Sequence, residues 1–449
     1  MPGMDRRRLL QRGAAMAPVL LLSAATLGSQ PGEETQAPDG GGTEPALRVS
    51  VRDFGAKGDG EADDTKAVEA AQRAVLRSRR DDGQVTREIV FPAGTYRVTR
   101  QDALLGSPSN GSADQVRGLT LRGIGKRGSE IFFDTDAGAS KSAFDNNLMT
   151  AANRLRALRV TGLSFRSQNP NQNWLYCWSR DEGDAAQRQP SRGVGGNQDF
   201  VLEDVEWRGT WNRVIGLDGD GESNLNSEWA FYNCHVGNSG EFADAFLHSG
   251  MSPQYAQQDQ FLNYWFFACK FEYAAGTLLK LRKGGFVNVF GGSWIAGVES
   301  TKPATMLSMP PESHADSVQN LSVVGTRFEL RHPGVTLMDC GWSGASAHIT
   351  FQNISDASQS FRDWAAEATP VVLRPRDGAV PTVKFLNCEL MGHHRVEGAA
   401  AQKGRIVYDG CNMANHPQGG VGPGRFLRYD GAAPSYRFVD CYGVPDTSG

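Results

Sequence analysis

The sequence predicts an all-β fold in which short strands wind into a parallel β-helix. A six-residue pattern recurs from about residue 155 onward, and most copies are followed by a second β-rich run that ends in a turn. The chain also has 53 glycines without a Gly-x-y period, which indicates many tight turns rather than collagen. Two strands per repeat, stacked coil on coil, define such a solenoid.

The repeat consists of an apolar residue, any residue, a small residue or Asn/Asp, a variable position, any residue and a usually apolar residue. Its copies begin at residues 160, 202, 231, 266, 289, 323, 351, 385 and 438. Neighbouring copies are 23 to 53 residues apart, which favours coils with loops of variable length over a helical repeat of fixed length. Residues in the same slot of successive coils are expected to stack at about 4.8 Å.

Two slots of the repeat are unusually uniform. One slot holds Cys234, Cys269, Cys388 and Cys441. Small buried side chains at a corner of each coil explain this cysteine slot. The preceding slot holds Asn233, Asn353 and Asn387. These amides are expected to form an inner ladder that satisfies the backbone of the turns.

The two ends of the chain differ in character. Residues 1–30 combine Arg6, Arg7 and Arg8 with an apolar run, which is typical of a twin-arginine-like export signal. Residues 31–47 are polar and rich in Pro and Gly, so a disordered linker is expected there. The β-helix domain is predicted over residues 48–445, in a secreted or periplasmic protein that leaves the membrane once the signal is removed.

Charge and cysteine usage argue against nucleic-acid binding and against a zinc site. The formal charge is 46 − 50 = −4 with no dominant basic face, so nucleic acid is not an expected partner. Seven cysteines without a CxxC or a Cys/His cluster argue against a zinc site.

The stretch VRDFGAKGDGEADDTKAVEAAQRAV, residues 51–75, joins a glycine-rich turn to a helical pattern. It lacks the GK[ST] ending of a phosphate-binding loop and the spacing of an EF-hand. Val68, Ala71 and Val75 fall on one face of a short helix, with Asp63, Asp64 and Thr65 at its start. Such a helix is expected to cap the open end of the solenoid.

This stretch resembles the start of proteins of the pectate-lyase superfamily, as do IVFPAGTYRVT at 89 and LTLRGIGKRGSEIFF at 119. The resemblance implies a right-handed single-stranded parallel β-helix with a short N-terminal capping helix. Its members include polysaccharide lyases, glycoside hydrolases, mannuronan epimerases and phage tailspikes. The resemblance covers about residues 48–135 and concerns architecture, so function must be argued from a site.

Aligning the second strands at their leucines places polar residues in one column. Asp218, His248 and Arg282 each follow such a leucine and are predicted to occupy three consecutive coils. The same candidate catalytic site includes Asp220, Lys283 and Asp244. Opposite charges on neighbouring strands also stabilise a soluble β-helix without any catalytic role, and this alternative stays open.

Three functions compete for these residues. A lyase acting on a uronate-containing polysaccharide needs a base and cations that stabilise enolate-like charge, roles open to His248, Arg282 and Lys283. Asp218 and Asp220 would orient the cations or bind Ca²⁺ as a cofactor.

A glycoside hydrolase would instead use two carboxylates, Asp218 with either Asp220 or Asp244. The Asn-Thr-Asp, Gly-His-Gly and Arg-Ile-Lys motifs of polygalacturonases are missing, as is the Tyr-Gly-x-Asp-Pro-His signature of mannuronan epimerases. The third function is a non-catalytic glycan-binding or structural surface protein, with Trp174, Trp178, Trp207 and Trp211 as sugar platforms. A homotrimer formed through the coil faces is a further expectation.

Overall fold

The computed structural model describes most of the chain from residue 47 onward. The described residues are 47–106, 116–152, 155–180, 197–220, 224–251, 259–260, 263–282, 285–310, 319–342, 347–356, 368–375, 380–398, 405–413 and 426–448. The predicted export signal and all but the last residue of the predicted linker lie outside these ranges. Within them, no helix is both long enough and apolar enough to cross a bilayer.

The first of two large sheets, sheet A, contains fourteen strands, one from each coil and one at the C-terminus. Its strands are Arg48–Ser50, Glu88–Val90, Thr120–Arg122, Arg159–Thr161, Phe200–Glu203, Trp229–Tyr232, Tyr264–Phe267, Phe286–Phe290, Gln319–Val324, Ala347–Gln352, Thr382–Leu386, Ile406–Asp409, Tyr436–Val439 and Thr447–Ser448. All neighbours are parallel except the last pair.

The second large sheet consists of two stacks, B1 and B2, joined by three long strands that contribute to both. These long strands are Glu206–Asp220, His235–Ser249 and Lys270–Leu281. Stack B1 also contains Asp59–Asp63, Gly94–Val98, Ser129–Phe133, Ser164–Gln168, Ser293–Ala296, Arg327–Leu330 and Ser355–Asp356. Stack B2 also contains Asn147–Ala152, Asn173–Arg180, Ala304–Met309, Val335–Cys340, Val371–Leu373, His394–Val396 and Leu427–Tyr429.

The chain therefore repeats the order sheet A, stack B1, stack B2, and all three faces are built from parallel neighbours. This is the predicted right-handed parallel β-helix, since parallel crossovers are right-handed. Two short parallel pairs lie beside it, Val116–Arg117 with Leu155–Arg156 and Asn224–Leu225 with Asp259–Gln260. The described helices are a 3₁₀ turn, Val51–Phe54, and one α-helix, Thr65–Arg77.

The turn from sheet A to stack B1 explains the small or Asn/Asp slot of the repeat. Asn233, Asn353 and Asn387 have φ angles of 50°, 52° and 51°, in the left-handed region that Asn, Asp and Gly tolerate best. All three are exposed. The prediction of an inner asparagine ladder is therefore wrong, because backbone conformation, and not an interior amide, selects the residue type.

In the cysteine slot that follows, Cys234, Cys269 and Cys388 are buried, as predicted for a small side chain at a corner, whereas Cys441 is only partly buried. The thiols of Cys234, Cys269 and Cys388 each donate to a backbone carbonyl of the preceding coil, at 3.3, 3.5 and 3.3 Å. Cys411, which lies outside the predicted copies of the repeat, makes the same contact at 3.2 Å. The seven cysteines are all free thiols.

Tryptophans fill much of the interior. Trp174, Trp207 and Trp211 are fully buried. These three side chains are therefore not available as sugar platforms, whereas the fourth predicted platform, Trp178, is only partly buried.

The α-helix covers the first coil, as predicted, with Val68, Ala71 and Val75 fully buried. The glycine-rich turn before it is organised by Asp64. This carboxylate is buried and accepts the backbone N–H groups of Lys57 and Gly58, at 2.7 and 3.0 Å. The GAKGDG turn is thus a structural feature of the cap.

Replacing Asp64 by Ala is expected to lower the free energy of unfolding by about 1–3 kcal/mol, because two part-buried N–H groups lose their acceptor. Asp59 is the matched control: it also accepts two backbone N–H groups, but it is exposed. Asp59→Ala should lower the free energy of unfolding much less than Asp64→Ala, because water replaces the lost acceptor at an exposed site. Urea unfolding of both variants checks this, and equal losses would contradict the role given to Asp64.

Candidate active site

The predicted site residues that the structure describes lie in or just after the three long strands, from the bend into stack B2 onward. In the parallel register, Gly216 pairs with His248, and His248 pairs with Lys280. The predicted single column of Asp218, His248 and Arg282 is therefore wrong. His248 lies two residues before the position that the other two share.

The prediction misplaced His248 because the long strands have more than one inward-facing apolar position at which they can be aligned. Leu247 pairs with Ile215 and Leu279, whereas Leu281 pairs with Ser249. A shift of two residues keeps every side chain on its own face and satisfies the apolar pattern equally well. The alignment at leucines therefore identified the outer face correctly but not the position along the strand.

Asp218 and Arg282 do share a column, two coils apart, with Gly250 between them. The backbone N–H groups of Gly250 and Arg282 each donate to the preceding coil, at 3.0 and 3.2 Å, which continues the parallel register. Two interstrand spacings put their α-carbons about 10 Å apart. His248 belongs to the intermediate coil and the same outer face, because positions two residues apart project to the same side.

Asp244 connects the charged groups of this face. Its Oδ2 lies 2.8 Å from His248 Nδ1 and 3.2 Å from Arg213 Nη1, and its Oδ1 lies 2.8 Å from Lys280 Nζ. The side chains of Arg213 and His248 are only 7% and 9% exposed, whereas Lys280 retains 30%. One carboxylate thus holds two cations and an imidazole, and of these three groups Lys280 is the most accessible to solvent.

The contact with Asp244 defines the tautomer of His248. An ionised carboxylate only accepts hydrogen bonds, so Nδ1 carries the proton and Nε2 of the neutral ring carries the lone pair. Among the described residues, buried Nε2 has no hydrogen-bond partner. Burial lowers the pKa of His248, with help from Lys280 and Arg213 and against the opposing effect of Asp244. His248 is therefore neutral at pH 7, and its unprotonated Nε2 can accept a proton.

Asp244 itself stays ionised. Burial alone would raise its pKa, but the hydrogen bonds and charges of His248 and Lys280 outweigh burial and hold this pKa well below its ordinary value. A carboxylate in this state accepts hydrogen bonds and does not donate a proton near neutral pH.

Tyr176 lies on the coil before Gly216 and borders the outer face of stack B2 on that side. It pairs with Gly216, and its Oη donates to Asp218 Oδ2 at 3.4 Å. Burial and the Asp218 charge raise the pKa of Tyr176, so the phenol stays protonated. A Cβ at Gly216 would meet Arg213 Nε at 2.6 Å, so the Arg213 side chain occupies the space that a larger residue would fill.

Of the six predicted residues, the structure brings Asp244 and His248 into contact, and it places Asp218 and Arg282 on the same face, about 10 Å from each other. The side chain of Asp220 and the whole of Lys283 lie outside the described residues. Sequence reasoning missed Arg213 and Tyr176, because no motif marks them and their partners belong to other coils. In the described part of the chain, no three His, Cys, Asp or Glu side chains are grouped to hold a metal ion. Calcium binding by Asp218 and Asp220 stays a prediction.

Acidification should destabilise the protein through His248. Its folded pKa lies below the ordinary 6.5, so between these two values the unfolded chain binds the proton more readily than the folded chain. The contribution of His248 is fully present above pH 6.5 and is lost as the pH falls towards its folded pKa. Urea unfolding from pH 7.5 to 5 should show a smaller loss for His248→Gln than for the wild type; equal losses would contradict burial of a neutral imidazole.

Comparison with known proteins agrees with the fold. Residues 48–173 match the family model described as rhamnogalacturonase A/epimerase, pectate lyase-like. Solved structures with similarity include the A-module of the Azotobacter vinelandii mannuronan C-5 epimerase AlgE6, at 13% identity and a TM-score of 0.42, covering 88% of this chain and 99% of that one. The Yersinia enterocolitica family 28 exopolygalacturonase has 14% identity and a TM-score of 0.43, covering 89% and 78%.

A viral protein, ORF18 of Geobacillus virus E2, has 14% identity and a TM-score of 0.39; the match covers 90% of this chain and 63% of the viral chain. No curated protein matches the sequence.

The structure thus defines a right-handed parallel β-helix protein with a polar cluster on the outer face of one stack. The family match confirms the resemblance to the pectate-lyase superfamily in the N-terminal part of the chain.

Proposed function

We propose that the protein is an exported enzyme that cleaves a uronate-containing polysaccharide by β-elimination. The observation that carries the proposal is the neutral His248, oriented by ionised Asp244 and placed beside Lys280 on the outer face of stack B2. The proposal that the enzyme is exported rests on the arginine-rich N-terminus, which is typical of an export signal.

In this mechanism, substrate binding uncovers His248 Nε2, which is buried in the free protein, and Nε2 then removes the proton from the carbon next to the uronate carboxylate. The electron pair forms a carbon–carbon double bond, and the bond from the neighbouring carbon to the glycosidic oxygen breaks. The departing oxygen takes a proton from the imidazolium or from water. Lys280 and Arg282 bind the uronate carboxylate and stabilise the charge that develops on it.

The electrostatics favour elimination over hydrolysis at this site. A glycoside hydrolase needs a carboxylic acid whose raised pKa keeps it protonated near neutral pH. Asp244 has the opposite property, since His248 and Lys280 hold its pKa low. Asp244 therefore cannot serve as the proton donor of a hydrolytic mechanism. In elimination, Asp244 is needed only to orient the imidazole of His248.

A product assay tests the proposal. The mature protein is incubated with acidic and neutral polysaccharides, with and without chelator, while ultraviolet absorbance of unsaturated uronates and new reducing ends are followed. Elimination predicts that both signals rise together on an acidic glycan. Reducing ends without absorbance would establish hydrolysis instead, and neither signal on a broad panel would overturn the enzymatic proposal. Loss of activity with chelator would add a calcium requirement.

The cation role has its own prediction. Lys280→Met should raise KM for an acidic substrate and lower kcat, since it removes a charge that contacts both the carboxylate and Asp244. Lys280→Arg keeps the charge and should retain more activity than Lys280→Met. Equal activity of the methionine variant and the wild type would exclude Lys280 from the site.

A further inference from the structure

The outer face of sheet A has a zone without charged residues in its middle. Coils are numbered 1 to 13 by the order of their strands in sheet A, so Phe286–Phe290 belongs to coil 8. Two columns of side chains point outward along these strands. On coils 6 to 10 the columns run from Ala230 and Tyr232 to Thr350 and Gln352, and none of their ten residues is charged. Charged residues are depleted in the same way at the centre of protein interfaces.

Aromatic rings form an exposed stack within this zone. Tyr232, Phe267 and Phe290 follow one another in one column of coils 6, 7 and 8, with ring centroids 4.9 and 5.2 Å apart and interplanar angles of 6° and 11°. Tyr232 and Phe290 are 42% and 41% exposed, and Phe286 on the same face is exposed as well. Large aromatic side chains that adjoin one another in water indicate a surface that another molecule covers.

Charged residues return on both sides of the zone. Arg159 on coil 4 and Glu203 on coil 5 precede it, and Lys384 on coil 11 and Asp409 on coil 12 follow it. All four are exposed, and none has an ion-pair partner in the described part of the chain. Residues at equal distances from coil 8 carry opposite charges. An uncharged centre with a charged rim is typical of an interface between proteins.

We propose that this face joins two copies of the chain, antiparallel to each other, about a two-fold axis along the strand of coil 8. The axis lies in the interface and reverses the order of the coils, so Phe290 packs on the partner's Phe290. Coil 5 then faces coil 11, which places Glu203 beside the partner's Lys384. Coil 4 faces coil 12, which places Arg159 beside the partner's Asp409.

The two charged pairs favour this arrangement over a parallel one. The members of each pair lie one column apart, about 6.6 Å along the strand, which long side chains can span. An axis parallel to the coil stack would instead place every coil on its own copy, and Glu203 would face the partner's Glu203. Like charges opposite each other weaken association.

The size of the face suits a dimer. Coils 4 to 12 span about 40 Å, and a strand of about five residues makes the face about 15 Å wide. The face therefore offers about 600 Å² on each copy, or about 1,200 Å² in total, which is the lower limit for a specific, stable interface. The candidate active site belongs to stack B2 and not to this face, so the dimer does not depend on the proposed reaction.

Sedimentation velocity over a range of protein concentrations tests the dimer. The wild type should sediment with twice the mass of the chain. Phe290→Lys places two like charges at the axis and should raise the dissociation constant by about tenfold or more. Tyr429→Lys is the matched control, because this tyrosine is similarly exposed but lies on stack B2, and it should leave the dimer unchanged. Thermal unfolding checks that both variants are folded.

A charge exchange tests the antiparallel arrangement. Glu203→Lys and Lys384→Glu should each raise the dissociation constant by about tenfold, since each creates two like-charge contacts in the dimer, and the double variant should return to within about threefold of the wild type. A monomer at every concentration, a trimer, or a dimer that Phe290→Lys leaves intact would overturn the proposal. Two charge reversals whose effects simply add would overturn the antiparallel arrangement.

Discussion

His248→Gln is expected to lower kcat on the acidic polysaccharide by about 10²- to 10⁴-fold, the usual contribution of a general base. Glutamine keeps an N–H donor for Asp244 but has no basic nitrogen in place of Nε2. The thermal unfolding midpoint should therefore change little. The measurement is the initial rate of unsaturated product at saturating substrate, with circular dichroism as the test of folding.

His348→Gln is the matched control, because this exposed histidine lies on a strand of sheet A, away from stack B2. It should retain wild-type activity. Near-normal turnover in His248→Gln would remove the imidazole from the mechanism, whatever its effect on stability.

Asp244→Asn should also lower kcat, because an amide can present either its oxygen or its nitrogen to Nδ1 and no longer enforces one tautomer. Since Asp244 opposes the lowering of the His248 pKa, its loss should shift the acid limb of the kcat/KM profile to lower pH. An acid limb that moves to higher pH in Asp244→Asn would contradict the assigned pairing.

Trp207→Ala is expected to lower the free energy of unfolding by about 3–5 kcal/mol, the cost of emptying a large buried site. The indole is fully buried, with ring centroids 5.2 Å from Trp174 and 5.0 Å from Phe246. These neighbours belong to different coils, so the cavity would weaken the contact between coils. Urea unfolding at constant m-value measures the loss.

Trp207→Phe is the matched control for this prediction. Nε1 of Trp207 is buried and has no hydrogen-bond partner among the described residues, so phenylalanine leaves no polar group unpaired. Trp207→Phe should lower the free energy of unfolding by about 1–2 kcal/mol, because the smaller ring fills less of the buried volume. Similar losses for the alanine and phenylalanine variants would show that packing around the ring is not the main contribution.

The parts of the fold predicted from sequence are those that a local pattern of apolar residues determines. The cysteine slot and the capping helix were predicted correctly because burial at Cys234 or Val68 depends on local apolar pattern and spacing. The residue type at Asn233 was recognised, but its cause was not, because sequence does not distinguish a left-handed φ angle from an interior amide. The structure resolves this through φ and exposure.

The candidate site was predicted only in part, for two physical reasons. Alternating apolar residues leave the register ambiguous by two positions, which misplaced His248 relative to Asp218 and Arg282. The contacts of Asp244 with Arg213 and Lys280 join three coils, and loop lengths between coils vary, so no sequence spacing reveals them. The outer face of stack B2 was predictable; the hydrogen bonds on that face were not.

The proposed chemistry depends on a His248 that is neutral at pH 7, with its proton on Nδ1 and its lone pair on Nε2. Nitrogen NMR of the ¹⁵N-histidine-labelled protein, with His248→Gln used to assign the signal, measures both the tautomer and the pKa. We expect an Nδ1–H tautomer whose pKa lies below 6.5, the ordinary value for histidine. A ring that is protonated at pH 7, or that carries its proton on Nε2, would contradict it.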